Sequence, residues 1–241
     1  MCTVTFIPKS NKDFILTSNR DEAPERISLP PAFYELDEVT TLFPKDVLSD
    51  GTWIGVSENK RLVCVLNGGI VRHKRQSNYK KSRGVVAKDF LKTDSIFKLI
   101  EQYDFSGIEP FTMIVVEWEN DLKLYELVLD EKQQYFNELT LEPRIWSSTT
   151  LYTDAMIEER REWFKNFKSQ NELKPKTILN FHKTAGKNNM DYGVIMNRGF
   201  VKTTSITQIE KQTELVKMRY ENIQSNTITS QSFSFPQAVN D

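Results

Sequence analysis

The sequence predicts an α+β fold in which antiparallel sheets carry helices on their outer faces. Three observations predict it. The elements read as strands, two helices, strands, two helices and strands again, which is not the regular alternation of a doubly wound parallel sheet. Its strands alternate apolar and polar residues with a period of two. Residues 111–118 and 122–129, separated only by Glu119-Asn120-Asp121, form the clearest hairpin in the chain.

Residues 2–7 place Cys2, Val4 and Phe6 on one side and Thr3 and Thr5 on the other, which is a strand signature. Ser10-Asn11-Lys12-Asp13 is turn chemistry, and residues 14–17 follow as a second strand antiparallel to the first. The polar cluster Ser18-Asn19-Arg20-Asp21-Glu22 then lies at the open end of that hairpin, which returns Arg20 and Asp21 to the neighbourhood of Cys2. Residues 23–45 carry Pro24, Pro30, Pro31 and Pro44 and read as an irregular loop beside the cluster. Residues 53–57 and 62–67 make a second hairpin that ends in Asn67-Gly68-Gly69. Its apolar run 62–66 predicts a strand covered on both faces, so Cys64 is expected in the core.

Seven basic residues lie between Arg72 and Arg83. They read either as a loop that binds anionic substrate groups or as a solvated loop balanced by acids elsewhere. Apolar residues at helical spacing, from Val85 to Leu91 and from Ile96 to Ile100, predict two consecutive helices with Thr93 and Asp94 as break and cap. Short strands are expected at 133–136 and 145–147. Residues 154–170 predict a helix, with Met156, Ile157, Arg160, Phe164 and Phe167 along one side and acids in its first turn; a shorter helix is expected over 176–182. Residues 193–197, 201–210 and 215–220 alternate as strands that close the fold.

The 241 residues are enough for a substantial core and read as one domain, 1–222, followed by a Ser/Thr/Gln/Asn-rich tail, 223–241, that is expected to fray. Hydrophobic residues at 39% and charged residues at 27% fit a globular protein, and a formal net charge of -1 argues against a nucleic-acid binder. No run reaches the apolar length of a membrane span, and Lys9, Asn11, Lys12 and Asp13 interrupt any secretory h-region, so the cytoplasm is the expected compartment. The two cysteines, Cys2 and Cys64, lack metal-ligand spacing, and there is neither a phosphate-cradling glycine loop nor a His-Glu-x-x-His pattern; no cofactor is called for.

The chemistry centres on Cys2. Loss of Met1 leaves a thiol and an α-amine on one residue, a nucleophile with its own base, and both titrate near neutral pH, at about 8.5 and 8. The plainer alternatives are a cysteine that is merely a small buried hydrophobe, and a polar cluster that is a local ion pair with an Asx turn.

Met1-Cys2, the run from Ser18 to Glu22, Gly51-Thr52-Trp53-Ile54-Gly55-Val56, Leu66-Asn67 and Ser82-Arg83-Gly84 occur in an order that resembles the NRDE family, which includes the eukaryotic Transport and Golgi organisation 2 proteins. That family is similar to the N-terminal nucleophile hydrolases, especially the penicillin V acylase and bile salt hydrolase branch. The resemblance implies a four-layer αββα sandwich of two antiparallel sheets. It also implies an N-terminal cysteine amidohydrolase that cleaves a linear, non-peptide amide of a small-molecule substrate through an acyl-thioester.

On this resemblance Cys2 is the nucleophile, Arg20 biases its thiol toward thiolate, Asp21 orients the α-amine, and the Asn67 amide meets the developing oxyanion. Asn19, Trp53 and His73 are the expected substrate contacts. The sequence departs from the acylases in three places. Arg20 and Asp21 are adjacent, so a regular strand would point them to opposite faces. The second oxyanion asparagine falls on Thr149, and the late arginine on Lys202. The alternative reading is a non-catalytic protein that binds or transfers a lipid, acyl-coenzyme A or haem on the same scaffold.

Overall fold

The computed structural model describes residues 3–10, 12–76, 78–131 and 133–235. The opening hairpin forms as its alternation predicts: β1 (Thr3–Pro8) pairs antiparallel with β2 (Phe14–Glu22). The second strand continues beyond residue 17, so the polar cluster is itself strand and is paired on its other edge.

Residues 23–45 correct the expectation of a loop: they fold into β3 (Ser28–Leu36) and β4 (Val39–Asp46). β3 is an edge strand, and its register shifts between Leu29 and Ala32, where Pro30 and Pro31 fall. Proline lacks the N–H a ladder needs, so an edge and a bulge are the places that accept it. The meander continues with β5 (Ile54–Ser57) and β6 (Arg61–Asn67), then passes through α1 (Arg83–Lys92) and α2 (Ile96–Gln102) before β7 (Phe111–Glu117), β8 (Lys123–Leu129) and β9 (Gln134–Leu139). Ser82 and Ser95 cap the two helices by accepting from Val85 and Lys98, so the second cap is Ser95 and not Asp94.

The chain then returns to the first sheet through β10 (Arg144–Ser147), covers it with α3 (Asp154–Gln170) and α4 (Pro175–Thr184), and ends in β11 (Lys202–Gln212), β12 (Leu215–Asn222) and β13 (Thr227–Ser234). Residues 193–197, expected as a strand, form a turned connector in which the Val194 N–H bonds the Ala185 carbonyl under α4. The expected frayed tail, 223–241, is corrected over 227–235, while 236–241 lie outside the described residues. β13 pairs with β12 over eight residues, and Phe235 beyond it is 5% exposed and edge-on to Trp118 at 5.6 Å. A polar composition suits an exposed edge strand that needs only a few apolar anchors.

All strand pairings in the two sheets are antiparallel. The first sheet has the order β10-β1-β2-β11-β12-β13, and the second runs β3 to β9 in sequence order. Alternation along each strand builds three cores from this arrangement. Leu62, Cys64 and Leu66 face Val4, Phe6 and Leu16 between the sheets, while Val63 and Val65 face Val86, Phe90 and Leu91 of α1. Ile7 and Ile15 on the far face of the first sheet pack under Phe164 of α3 and Ile178 and Phe181 of α4. The result is the expected αββα sandwich. No helix among the described residues is long and apolar enough to cross a membrane.

One close approach positions the site described next. A Cβ on Gly51 would stand 2.5 Å from the Gly84 carbonyl carbon, and the Thr52 N–H bonds the Gly84 carbonyl. The loop before β5 is thereby held against the first turn of α1.

Candidate active site

At one end of the sandwich, where β2, β4, β6 and the start of α1 converge, two adjoining cavities of about 220 and 610 Å³ share Glu22, Arg26, Asn67, Arg75, Arg83 and Glu109. Arg20 lines the first cavity, Asp21 the second, and Asn67 both. Cys2 lies outside the described residues. Thr3, bonded to it, pairs with Asn19 on one side and Ser147 on the other.

Arg20 projects between the sheets. Its guanidinium is 2.6 Å from Asp46, donates to the Thr204 hydroxyl at 3.3 Å, and stacks over Trp53 with the centroid 4.5 Å away. Burial lowers its pKa below the ordinary guanidinium value, against the opposing effect of Glu22 and Asp46. Burial alone would raise Asp46, but hydrogen bonds from Arg26 and from the Ser49 backbone and hydroxyl hold it below the usual carboxylate range. Asp46 is missed by sequence reasoning: it follows directly on the segment 23–45 that reads as loop, and no local signal marks it.

Asp21 is 1% exposed, and hydroxyls hold both its oxygens. Tyr152 donates to Oδ2 at 2.9 Å and Thr203 to Oδ1 at 2.6 Å. The Thr203 oxygen itself accepts the Met196 N–H, which directs its proton to Asp21. The Tyr152 ring lies under the buried Arg160 guanidinium at 3.9 Å. Opposite Arg20 and Asp21 the ladder shifts register between Thr203 and Ser205, so the bulge lies on β11. β2 keeps its alternation, and Arg20 and Asp21 point to opposite faces of the sheet, toward Asp46 and Trp53 and toward Tyr152 respectively.

Asn67 ends β6, and three hydroxyls tie down the turn after it. Ser148 donates to the Asn67 carbonyl at 2.7 Å, Thr112 to that of Gly68 at 3.0 Å, and Thr149 to that of Gly69 at 3.0 Å. Gly68 adopts φ +91°, and a Cβ there would meet the Thr149 hydroxyl at 2.2 Å. Among the described residues no partner takes the Asn67 side-chain amide. Thr149, expected at the second oxyanion position, lines neither cavity and gives its hydroxyl proton to the Gly69 carbonyl; its neighbour Thr150 is the one on the larger cavity. Lys202 pairs in register with Glu22 and lines neither cavity; the residue of that strand that touches the site is Thr203.

The expected substrate contacts separate. Trp53 lines the first cavity, 6% exposed, with a buried indole Nε1–H that has no acceptor among the described residues. His73 lines the second, its Nε2 3.4 Å from Glu109. Asn19 faces the helical layer instead, fully buried. It donates to the carbonyls of His182 and Val194 at 3.0 and 2.6 Å, and its Oδ1 lies 2.6 Å from His182 Nδ1. Strand alternation puts it on the side of β2 away from Arg20, where no ligand reaches it. Cys64 is core as expected: it is 0% exposed, and burial pushes its thiol up to about 12.

The fold is that of the N-terminal nucleophile hydrolases. Penicillin V acylase from Agrobacterium tumefaciens matches with a TM-score of 0.58 at 10% identity, covering 95% of this chain and 85% of that one. A variant of conjugated bile acid hydrolase from Clostridium perfringens matches at 0.51 and 10% identity, covering 100% and 99%. The Caenorhabditis elegans N-acylethanolamine-hydrolyzing acid amidase ortholog matches at 0.51 and 11% identity, covering 86% and 92%. No curated protein matches the sequence. The family model described as Transport and Golgi organisation 2 matches residues 1–232.

Proposed function

The chain belongs to the Transport and Golgi organisation 2 family, and from that premise we propose that it is an N-terminal cysteine hydrolase of a linear amide, with Cys2 as its nucleophile. The observation that carries this reading is Asp21. It is a buried carboxylate with both oxygens oriented by hydroxyl donors, on the wall of a cavity that Asn67 also lines. The likeness in fold to proteins named as an acylase, a bile acid hydrolase and an acylethanolamine amidase supports an amide as the substrate.

Covalent geometry keeps the Cys2 Cα about 3.8 Å from that of Thr3, and Thr3 sits beside Asn19, the residue before Arg20. Once what precedes Cys2 is removed, its α-amine takes the thiol proton, helped by the Arg20 charge and oriented by Asp21. The sulfur attacks the amide carbonyl, whose electron pair moves onto oxygen. An Asn67 Nδ2–H meets that charge, a donor worth about 3 kcal/mol in such a position. Collapse re-forms the carbonyl and breaks the C–N bond; the ammonium returns its proton to the leaving nitrogen, and a thioester remains. Water, giving its proton to the amine, then attacks the thioester and releases the acid and the thiol.

Intact-mass analysis of the native protein tests this. The expected result is loss of Met1 and a stoichiometric adduct on Cys2 with an electrophilic amide analogue. Retained Met1, or a protein that binds the analogue without forming the adduct, overturns it. The second outcome is the one expected of a carrier for lipid, acyl-coenzyme A or haem.

A further inference from the structure

The two adjoining cavities are unevenly charged. In the larger, five basic side chains, Arg26, Arg72, Lys74, Arg75 and Arg83, stand against three carboxylates, Asp21, Glu22 and Glu109, in a chain whose formal net charge is -1. Two of these carboxylates are already engaged. Tyr152 and Thr203 hold Asp21, while Glu22 lies 3.2 Å from Arg26 and 3.8 Å from Arg20. That leaves Glu109, 13% exposed, to serve Arg83 at 3.1 Å, His73 at 3.4 Å and Arg75 at 3.9 Å. Arg72 and Lys74 have no ion-pair partner among the described residues.

The neighbouring lysines show what an ordinary solvated loop looks like. Lys80 pairs with Asp104, away from the cleft, and Lys81, on the wall of the smaller cavity, pairs with Asp89. Of the bases that face the larger cavity, Arg26 is paired with Glu22 and Asp46 and Arg83 with Glu109, Arg75 has only Glu109 at 3.9 Å, and Arg72 and Lys74 have no ion pair among the described residues. Three further features favour a negative ligand. The N-terminus of the ten-residue α1, capped by Ser82, opens on the smaller cavity. The Trp53 indole N–H has no acceptor, and the buried His73 Nδ1 has no partner. Burial also lowers the pKa of Arg83, so its guanidinium gains from any anion brought beside it.

We infer that this cleft is an anion site: the amide substrate carries a carboxylate or phosphate group that Arg83 and Arg75 take in exchange for Glu109, with Arg72 and Lys74 at the rim. The inference rests on the amide-hydrolase reading for the rest of the substrate. Guanidinium forks suit both oxyanions, being planar donors that bind two oxygens at once. Glu109 acts as a place-holder that keeps these cations aligned in the empty site.

Titration calorimetry on the full-length Cys2→Ala protein tests it with three ligands of one acyl length: N-octanoylglycine, N-octanoylethanolamine and the phosphate monoester of the latter. At least one anionic ligand is expected to bind about tenfold tighter than the neutral one, the effect of one charge-assisted contact. The better anion tells carboxylate from phosphate. Replacing the exposed bases together, Arg72→Gln, Lys74→Gln and Arg75→Gln, is expected to remove that advantage and flatten its salt dependence while leaving the neutral ligand unchanged. Glu109→Gln is expected to tighten anion binding several-fold, since it removes the competing carboxylate. Neutral binding equal to both anions, no binding by any ligand, or Glu109→Gln leaving anion affinity unchanged or weaker overturns the inference. Because Cys2→Ala cannot turn over, failure of the hydrolase reading shows separately, as intact anion binding with no adduct on wild-type Cys2.

Discussion

Arg20 and Asp46 are 3% and 5% exposed at their side chains and 2.6 Å apart, so each compensates the other's loss of water. Removing one partner of such a pair leaves a buried charge poorly met, with only Glu22 at 3.8 Å to take up Arg20. Asp46→Asn is therefore expected to cost about 3 kcal/mol in urea unfolding. Combined with Arg20→Met it should cost less than the two single changes together; additive costs would show that the pair is not coupled. At this scale the sequence shows Arg20, Asp21 and Asn67, because a polar cluster after a strand and an Asn-Gly-Gly strand end are local signals. Asp46, Tyr152, Thr203 and Glu109 are not legible. Tyr152 and Thr203 lie 131 and 182 residues from Asp21, and nothing local marks a hydroxyl whose acceptor is that far along the chain.

Among the elements, α1 is the one whose placement shapes the cleft, since Ser82, Arg83 and Gly84 line it. Gly51→Ala would drive a Cβ into the Gly84 backbone at 2.5 Å, which a rotamer change cannot relieve. It is expected to lower stability by about 2 kcal/mol and shift the start of α1. Thermal unfolding together with a structure of the variant checks both, and an unmoved helix at full stability contradicts the contact. Helices and central strands are legible because their apolar periods are long; α3 spans the predicted 154–170. The errors fall where composition misleads. The prolines of β3 are compatible with an edge strand at a register shift, and the polar β13 is compatible with a sheet edge. Neither context is visible until the neighbouring strand is known.

For the molecule as a whole, the joint between the first sheet and its helical layer contains a titratable group. His182 of α4 is fully buried against Thr5 of β1 and Asn19 of β2, and burial, reinforced by the Arg160 charge, pushes its pKa down to about 3. Unfolded, the imidazole titrates near about 6.5. Between these values the unfolded chain binds the extra proton, so His182 contributes fully above pH ~6.5 and its contribution falls as pH drops toward 3. Urea unfolding from pH 4 to 6 should show a slope about 1.4 kcal/mol per pH unit steeper than in His182→Gln. Equal slopes would mean that the ring is protonated in the fold.

Alternation and helical spacing were enough to establish antiparallel sheets with outer helices, the core position of Cys64 and the residues on which a family resemblance rests, because each of these signals is written within a few consecutive positions. The partners of Asp21 and Arg20, the outward turn of Asn19, the hydroxyl clamp on Asn67-Gly68-Gly69 and the surplus of positive charge in the cleft belong to the folded chain alone. Sheet register and the stacking of two sheets bring together groups separated by tens to hundreds of residues, and no local pattern encodes which of them will meet.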